Sequence, residues 1–462
     1  MAERHSESRA GNDARRGIAF FAAFLVLGLI VAYLNRAHVE QQSNYLVEYV
    51  NMADHYRGVA TRAVLTYPLW GYSFVLMALP RYDLVAIPQV VLSSLVATLL
   101  LLALHREMPE YRRATSVFFL AAAPWYLLHS VKWPQSFAAS FCILGLVLLA
   151  RALRRDRLSL GVAGGVAAGL AFGAALYFRS EFLYLPLFLV CIAVASRWSS
   201  RYATVPVAPA LAAAVVASAA LVPWAVHYHR EAGRYSFTAS QRGIVAFISL
   251  GQLPGNPWGA TYLDEYAYDY LKARQIDVIP QSDSGDRVLY EEFKRRVREH
   301  PAAFAKKMVW NAAMTLASGF YSGEIPLTPD ENAKLGELRS NLRGALLPGG
   351  EAGGGASDGA GARVHAALVY WAVAKMLGAL YVTIGVAGLL VCIWRGIRSP
   401  LVLVLAGYAA YQLLLLLALA TEPRYLNGLY LALVPFVIAA GTSIAHVWRR
   451  RRRTESGGAV PA

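Results

Sequence analysis

The chain has 462 residues, of which 57% are hydrophobic and only 16% are charged, and its mean hydropathy is +0.40. That balance argues against a soluble globular fold, where about a quarter of the residues carry charge. The net charge of +15 is no nucleic-acid footprint, because most of it sits in short connections between apolar stretches.

In chain order, candidate membrane spans occupy 17–34, 84–104, 114–128, 136–150, 160–177, 182–195, 203–226, 366–394, 401–420 and 428–446. Helices are the expected form, since a chain crossing hydrocarbon must satisfy its own backbone hydrogen bonds and no barrel-like alternation is present. The first span has a long apolar core and no small-residue cleavage site after it, so it reads as a signal anchor.

Arg4, Arg9, Arg15 and Arg16 precede it, and further arginines follow at alternate connections: 106, 112 and 113; 151, 154, 155 and 157; 197 and 201; 395 and 398; 449 to 453. The other short turns carry only Lys132, Arg179 and Arg424. By the positive-inside rule both termini are cytoplasmic. The run Tyr67 to Leu79 is too short to cross, and a crossing there would put the 151–157 arginines outside; it is expected to lie at the outer interface. The stretch 302–320, interrupted by Lys306 and Lys307, is treated likewise.

Two outer loops are longer than a connection requires, 35–83 and 227–365. The second contains the aromatic, acidic run TYLDEYAYDY (261–270), the turn GQLPGNPWG (251–259) with Trp258, an amphipathic helix near 291–298 and a glycine-rich linker at 346–362. The expected architecture is an all-α polytopic membrane protein of about ten transmembrane helices. It has an N-terminal module (1–226) with juxtamembrane helices in its first periplasmic loop, a larger mixed periplasmic loop (227–365), C-terminal spans (366–446) and a basic cytoplasmic tail (447–462). Cys142, Cys191 and Cys392 all lie in apolar segments and read as small hydrophobes.

Several local sequences carry a resemblance. NYLVEYVNMADHYRG (44–58) followed by TYPLWGYSFVL, then FRSEFLYLPL (178–187), PWAVHYHREAGRYSFTAS (223–240), REHPAAFAKKMVW (298–310) and EPRYLNGLYLALVPF (422–436) resemble landmarks of the GT-C superfamily of membrane glycosyltransferases. Protein O-mannosyltransferases and the lipid A aminoarabinose transferase are the members they look like. The resemblance implies an inverting transferase of the bacterial inner membrane. It would take a sugar from a polyprenyl-phosphate carrier to a glycan, lipid or protein hydroxyl on the periplasmic face. The pattern departs in one place: the position where those families carry a first-loop acid is Tyr45 here, leaving Glu40, Glu48 and Asp54 as the available carboxylates.

Such a transfer needs a base for the acceptor hydroxyl and cations for the departing phosphate. Asp54, in MADHYRG just before the aromatic juxtamembrane segment, is the expected base, with Glu48 in reserve. Arg179 and Arg424 are the expected phosphate ligands, oriented by Glu181 and Glu422, with Lys132 as a further cation. For each, the plainer alternative is a solvated acid or a snorkelling interfacial cation. No DxD pair occurs in the first loop, so no metal or other cofactor is expected. A transporter or flippase is the alternative function and calls for a polar path through the bilayer; a purely structural assembly partner is a third, in which no outer carboxylate matters.

Overall fold

The computed structural model describes residues 2–34, 47–59, 64–128, 134–198, 202, 205–317, 330–331, 333–338, 361–419 and 427–443. Lys132, Glu422 and Arg424 lie outside them, as do the glycine-rich linker up to residue 360 and the basic tail. In chain order the helices are α1 (Ala2–Leu34), α2 (Val47–Tyr56), α3 (Trp70–Ala78), α4 (Ala86–Glu107), α5 (Arg112–Leu128), α6 (Pro134–Ala152), α7 (Leu158–Phe178) and α8 (Leu185–Ser196). There follow α9 (Val207–Ala220), α10 (Val222–Ala232), α11 (Arg242–Ser249), α12 (Asp264–Ala273), α13 (Asp283–Glu299), α14 (Pro301–Ala317), α15 (Ala362–Arg395), α16 (Pro400–Ala418), α17 (Asn427–Ala432) and α18 (Val434–Ser443).

Among the described residues seven helical segments are long and apolar enough to cross a membrane: 14–33, 86–107, 134–152, 158–178, 207–232, 362–395 and 400–418. The chain is a polytopic helical membrane protein. At the expected spans 114–128, 182–195 and 428–446 the described helices fall below that length. The first is the 17-residue α5, about 25 Å long; the second is a single-turn 3₁₀ helix (Ser180–Phe182) running into α8; the third is broken between α17 and α18. The span expected to end at 226 continues through α10 to Ala232, where Gly233 ends it at φ 71°.

The expectation of a mixed outer loop is corrected. No strand occurs among the described residues of 227–365, because its apolar residues recur at helical spacing. Ile244, Phe247 and Ile248 of α11 close on Ala267 and Leu271 of α12 and Leu289 of α13.

Two local devices shape the bundle. Gly161, Gly165, Gly169 and Gly173 form one stripe of α7, and a Cβ added at Gly165 would lie 2.3 Å from the Pro209 carbonyl oxygen, at Gly169 2.7 Å from that of Ala213. The stripe lets the α7 and α9 backbones touch, the usual solution where lipid supplies no hydrophobic force between helices. Secondly, the arginine-bearing connections converge at one end. Glu107 at the close of α4 pairs with Arg154 and accepts from Ser399 Oγ at 2.6 Å, while Arg395 donates to Ser443 at 3.1 Å. The same Ser399 caps α16 by accepting from Val402 N–H, with Pro400 at the first helical position.

At the opposite end sit α2, α3 and the α11–α13 module. The nine-residue α3 is far too short to cross a bilayer, and Gly71 packs it against the backbone of Tyr177. From the module, α14 runs back along α16. Lys307, fully buried, donates to the carbonyls of Ala418 (3.1 Å) and Leu419 (2.5 Å), and Asn311 donates to those of Leu416 and Leu417, both at 3.2 Å. The last turn of α16 therefore has its orphan carbonyls met by side chains over a hundred residues earlier. Burial lowers the Lys307 amine to a pKa of about 7.

Candidate functional site: an amphipathic cavity

The candidate base residues stand on α2, whose Tyr49, Met52 and Ala53 are buried. Tyr49 packs edge-on against Tyr72 of α3 at 5.2 Å. Glu48 and Asp54 flank that stripe on opposite sides: six residues are about 120° apart around a helix, so both cannot face one site. Asp54 accepts a hydrogen bond from the Tyr82 hydroxyl, which accepts in turn from Arg57 at 2.9 Å. Arg57 also donates to the carbonyls of Leu76, Met77 and Leu79 at 3.1, 2.9 and 2.7 Å, closing the C-terminal end of α3. The expected base is thus held in a brace between α2 and α3.

A cavity of about 310 Å³ opens on the other flank. Tyr49, Tyr67 and Pro68 form one wall, Arg179, Glu181 and Tyr184 a second, and Arg242, Val245, Tyr290 and Phe293 of the module a third. The fourth is a face of α16, with Gln412, Leu415, Leu416 and Leu419 at helical spacing. Asp54 is not among the lining residues. Glu48, the reserve candidate, is not among them either, but it precedes the lining residue Tyr49 in α2 and its charge acts on Tyr67. Burial raises the Glu48 carboxyl above its ordinary 4.5, and burial pushes the Tyr67 hydroxyl upward as well.

Of the expected phosphate ligands, Arg179 lies in the cavity and pairs with Glu181 at 3.1 Å, both side chains mostly shielded. Their backbone is the extended end of α7 and the 3₁₀ turn Ser180–Phe182, which Tyr411 of α16 ties down by donating to the Glu181 carbonyl at 2.7 Å. The structure thus brings Arg179 and Glu181 together in the cavity wall, while Glu48 and Asp54 both stand outside the lining.

One cation escaped the sequence reading. Arg242, the first residue of α11, places its guanidinium 3.9 Å over the Tyr290 ring. The next residue explains its placement: Gly243 N–H donates to buried Asp286 at 2.5 Å, and a Cβ there would lie 1.9 Å from the Asp286 carbonyl oxygen. Burial raises the Asp286 carboxyl, with Arg242 and Arg234 pulling against it. No spacing signal marks Arg242, because Tyr290 and Asp286 are more than forty residues away. Trp258, in the 251–259 turn, is buried and donates to the Arg296 carbonyl at 3.0 Å. From Asp264 on, the TYLDEYAYDY run lies in α12, with Tyr266 stacked on Phe247 at 5.2 Å.

Among the described residues no three histidine, cysteine or carboxylate groups come together as metal ligands. Comparison with protein-family models, curated proteins and solved structures finds no match.

Proposed function

We propose that this protein is an inverting glycosyltransferase that takes a sugar from a polyprenyl-phosphate carrier to a hydroxyl of a cell-envelope acceptor, on the periplasmic face of the inner membrane. The observation that carries this reading is the cavity: two arginines and a glutamate on one side, a leucine face of a membrane helix on the other, at the end of the bundle away from the clustered arginines. An anionic head with a hydrocarbon tail matches both surfaces. Arg179, held by Glu181, and Arg242 would receive the phosphate, while Leu415, Leu416 and Leu419 border the chain.

Glu48 replaces Asp54 as the proposed base. In the step, the acceptor oxygen attacks the anomeric carbon, the bond from that carbon to the phosphate oxygen breaks with its electron pair leaving on phosphate, and Glu48 takes the acceptor proton. A carboxyl made more basic by burial suits the role. Lys132, Glu422 and Arg424 keep their proposed parts in the phosphate site, and metal independence is part of the proposal.

The test is transfer of radiolabelled sugar from a purified polyprenyl-phosphate hexose or pentose in liposomes. Glu48→Gln is expected to lower turnover by about 10²-fold or more with donor binding retained, and to abolish an acid limb lying above pH 4.5. Arg179→Ala and Arg242→Ala weaken donor binding about tenfold each, whereas Asp54→Asn keeps transfer near normal. Loss of transfer in Asp54→Asn alone would return the base to Asp54. Movement of the lipid across the bilayer without any transfer would establish the transporter alternative.

A further inference from the structure

Helices α4 and α6 run side by side in the same direction. Gln89 donates to Ser136 and Ser93 meets Ser140, both at 3.0 Å and both across an offset of 47 residues. Carried to the ends of the helices, the same offset sets Arg151 level with Leu104, about 3 Å short of Arg106. Both arginines lie in the last turn of their helix. The turn after α6 is closed by Arg154 N–H on the Arg151 carbonyl and Arg155 N–H on that of Ala152, which keeps Arg155 beside them. Arg106 and Arg155 each act electrostatically on Arg151, and all three are exposed.

Three guanidinium groups gathered in one place repel one another unless an anion joins them. Glu107 is already engaged: its carboxylate, 7% exposed, pairs with Arg154 and accepts from Ser399. The turn's other carboxylate, Asp156, is exposed and is followed at once by Arg157. The carbonyl ends of α4 and α6 offset about half a charge each, which leaves about two positive charges for a ligand. Below them runs an apolar stripe of α4, in which Leu95 is exposed and Leu99 and Leu102 are half-exposed. It shares the side of Arg106, because steps of four, seven and eleven residues return a helix to nearly the same direction. Leu95 lies about 16 Å along the axis from Arg106, close to half of a hydrocarbon core of about 30 Å. That is the depth of one leaflet.

We infer that Arg106, Arg151 and Arg155 bind the headgroup of an anionic phospholipid with two phosphates, one acyl chain of which lies along Leu102, Leu99 and Leu95. Guanidinium groups grip phosphate through paired N–H donors, and basic recesses between membrane helices suit such headgroups. The site is at the end of the bundle away from the cavity, so it stands independently of the transferase reading.

The experiment titrates the full chain, stripped of lipid in detergent, with cardiolipin, phosphatidylglycerol and phosphatidylethanolamine, and resolves bound lipid by native mass spectrometry. The wild type is expected to hold cardiolipin about tenfold more tightly than phosphatidylglycerol, and phosphatidylethanolamine least. Arg151→Gln should weaken cardiolipin about tenfold, the value of one lost charge-assisted contact, while Arg157→Gln leaves it unchanged. Without lipid the Tm of Arg151→Gln should hold or rise, because a like charge has been removed from the cluster. Equal affinity of the wild type for cardiolipin and phosphatidylglycerol, or unaltered cardiolipin binding in Arg151→Gln, overturns the inference. So does an equal loss in Arg157→Gln, which would mark a diffuse field of the basic turns, or a clear fall in the lipid-free Tm of Arg151→Gln, which would mark a structural arginine.

Discussion

Where α7 meets α9 in the bundle, contact is made by glycines and alanines that bring two backbones together, with scarcely a polar atom involved. Where α11, α12 and α13 meet in the module, Arg296 ties their side chains together. It donates to Glu292 at 2.7 Å and Tyr266 at 3.0 Å and lies 4.6 Å from the Phe247 ring centre, while Arg295 reaches the other side of the same carboxylate. The difference follows the surroundings. Lipid rewards no apolar burial between helices, so close packing must supply the attraction in the bundle; a small module has a thin core and draws on charge-assisted bonds in a shielded place. The cavity lies at the seam between the two kinds of construction, and α14 crosses it.

The largest effect is expected in the bundle. Gly165→Leu drives a side chain into the Pro209 carbonyl, which is backbone and cannot swing aside. A loss of about 3 kcal/mol or more is expected, seen as a lower Tm in detergent and a poor yield, with the module's peptides showing ordinary hydrogen exchange. A mild effect would mean that the two backbones are not in contact.

In the module, Glu292→Gln should cost about 2 kcal/mol, the value of hydrogen bonds to a charged group. Its carboxyl is held down to about 2, first by its hydrogen bond from Arg295 and also by Arg296 and Tyr270. Because the folded value lies below the unfolded one, the stabilisation is complete above pH 4.5 and is lost as the pH falls toward about 2. Hydrogen exchange of peptides from 242–299, corrected for intrinsic rates, should therefore quicken on acidification in the wild type and change little in Glu292→Gln. The bundle peptides give the contrast: they should show no such acid response.

The smallest effect belongs to the seam. Lys307→Met keeps the length of the side chain and removes two donors from the end of α16. About 1 kcal/mol is expected, seen as roughly fivefold faster exchange in peptides covering 415–419 and none in 400–410. An equal rise along the whole of α16 would show that α14 holds the entire helix rather than its last turn.

Much of this was legible in the residues. The arginine clusters at 106–113, 151–157 and 395–398 were assigned to one side by charge alone, and the structure gathers Glu107, Arg154 and Ser399 at one end. The segment 67–79 is too short in the sequence to read as a span, and its helix α3 has nine residues. In the sequence Lys307 is only an interruption of an apolar run, because a cap donated from another helix leaves no local trace. The choice between Glu48 and Asp54 is likewise not local: helical spacing puts them on different flanks of α2, and what surrounds each flank comes from segments far away in the chain.

The sequence by itself determined that the chain is helical, membrane-embedded and punctuated by basic turns, since hydropathy and charge act residue by residue along a chain surrounded by lipid and water. Tertiary structure alone decided where a ligand can sit. The cavity walls come from residues near 49, 67, 180, 242, 290 and 415, and no periodicity links segments so far apart. Their meeting depends on backbone approaches at Gly71, Gly165 and Gly243, where the absence of a side chain lets one helix reach the next.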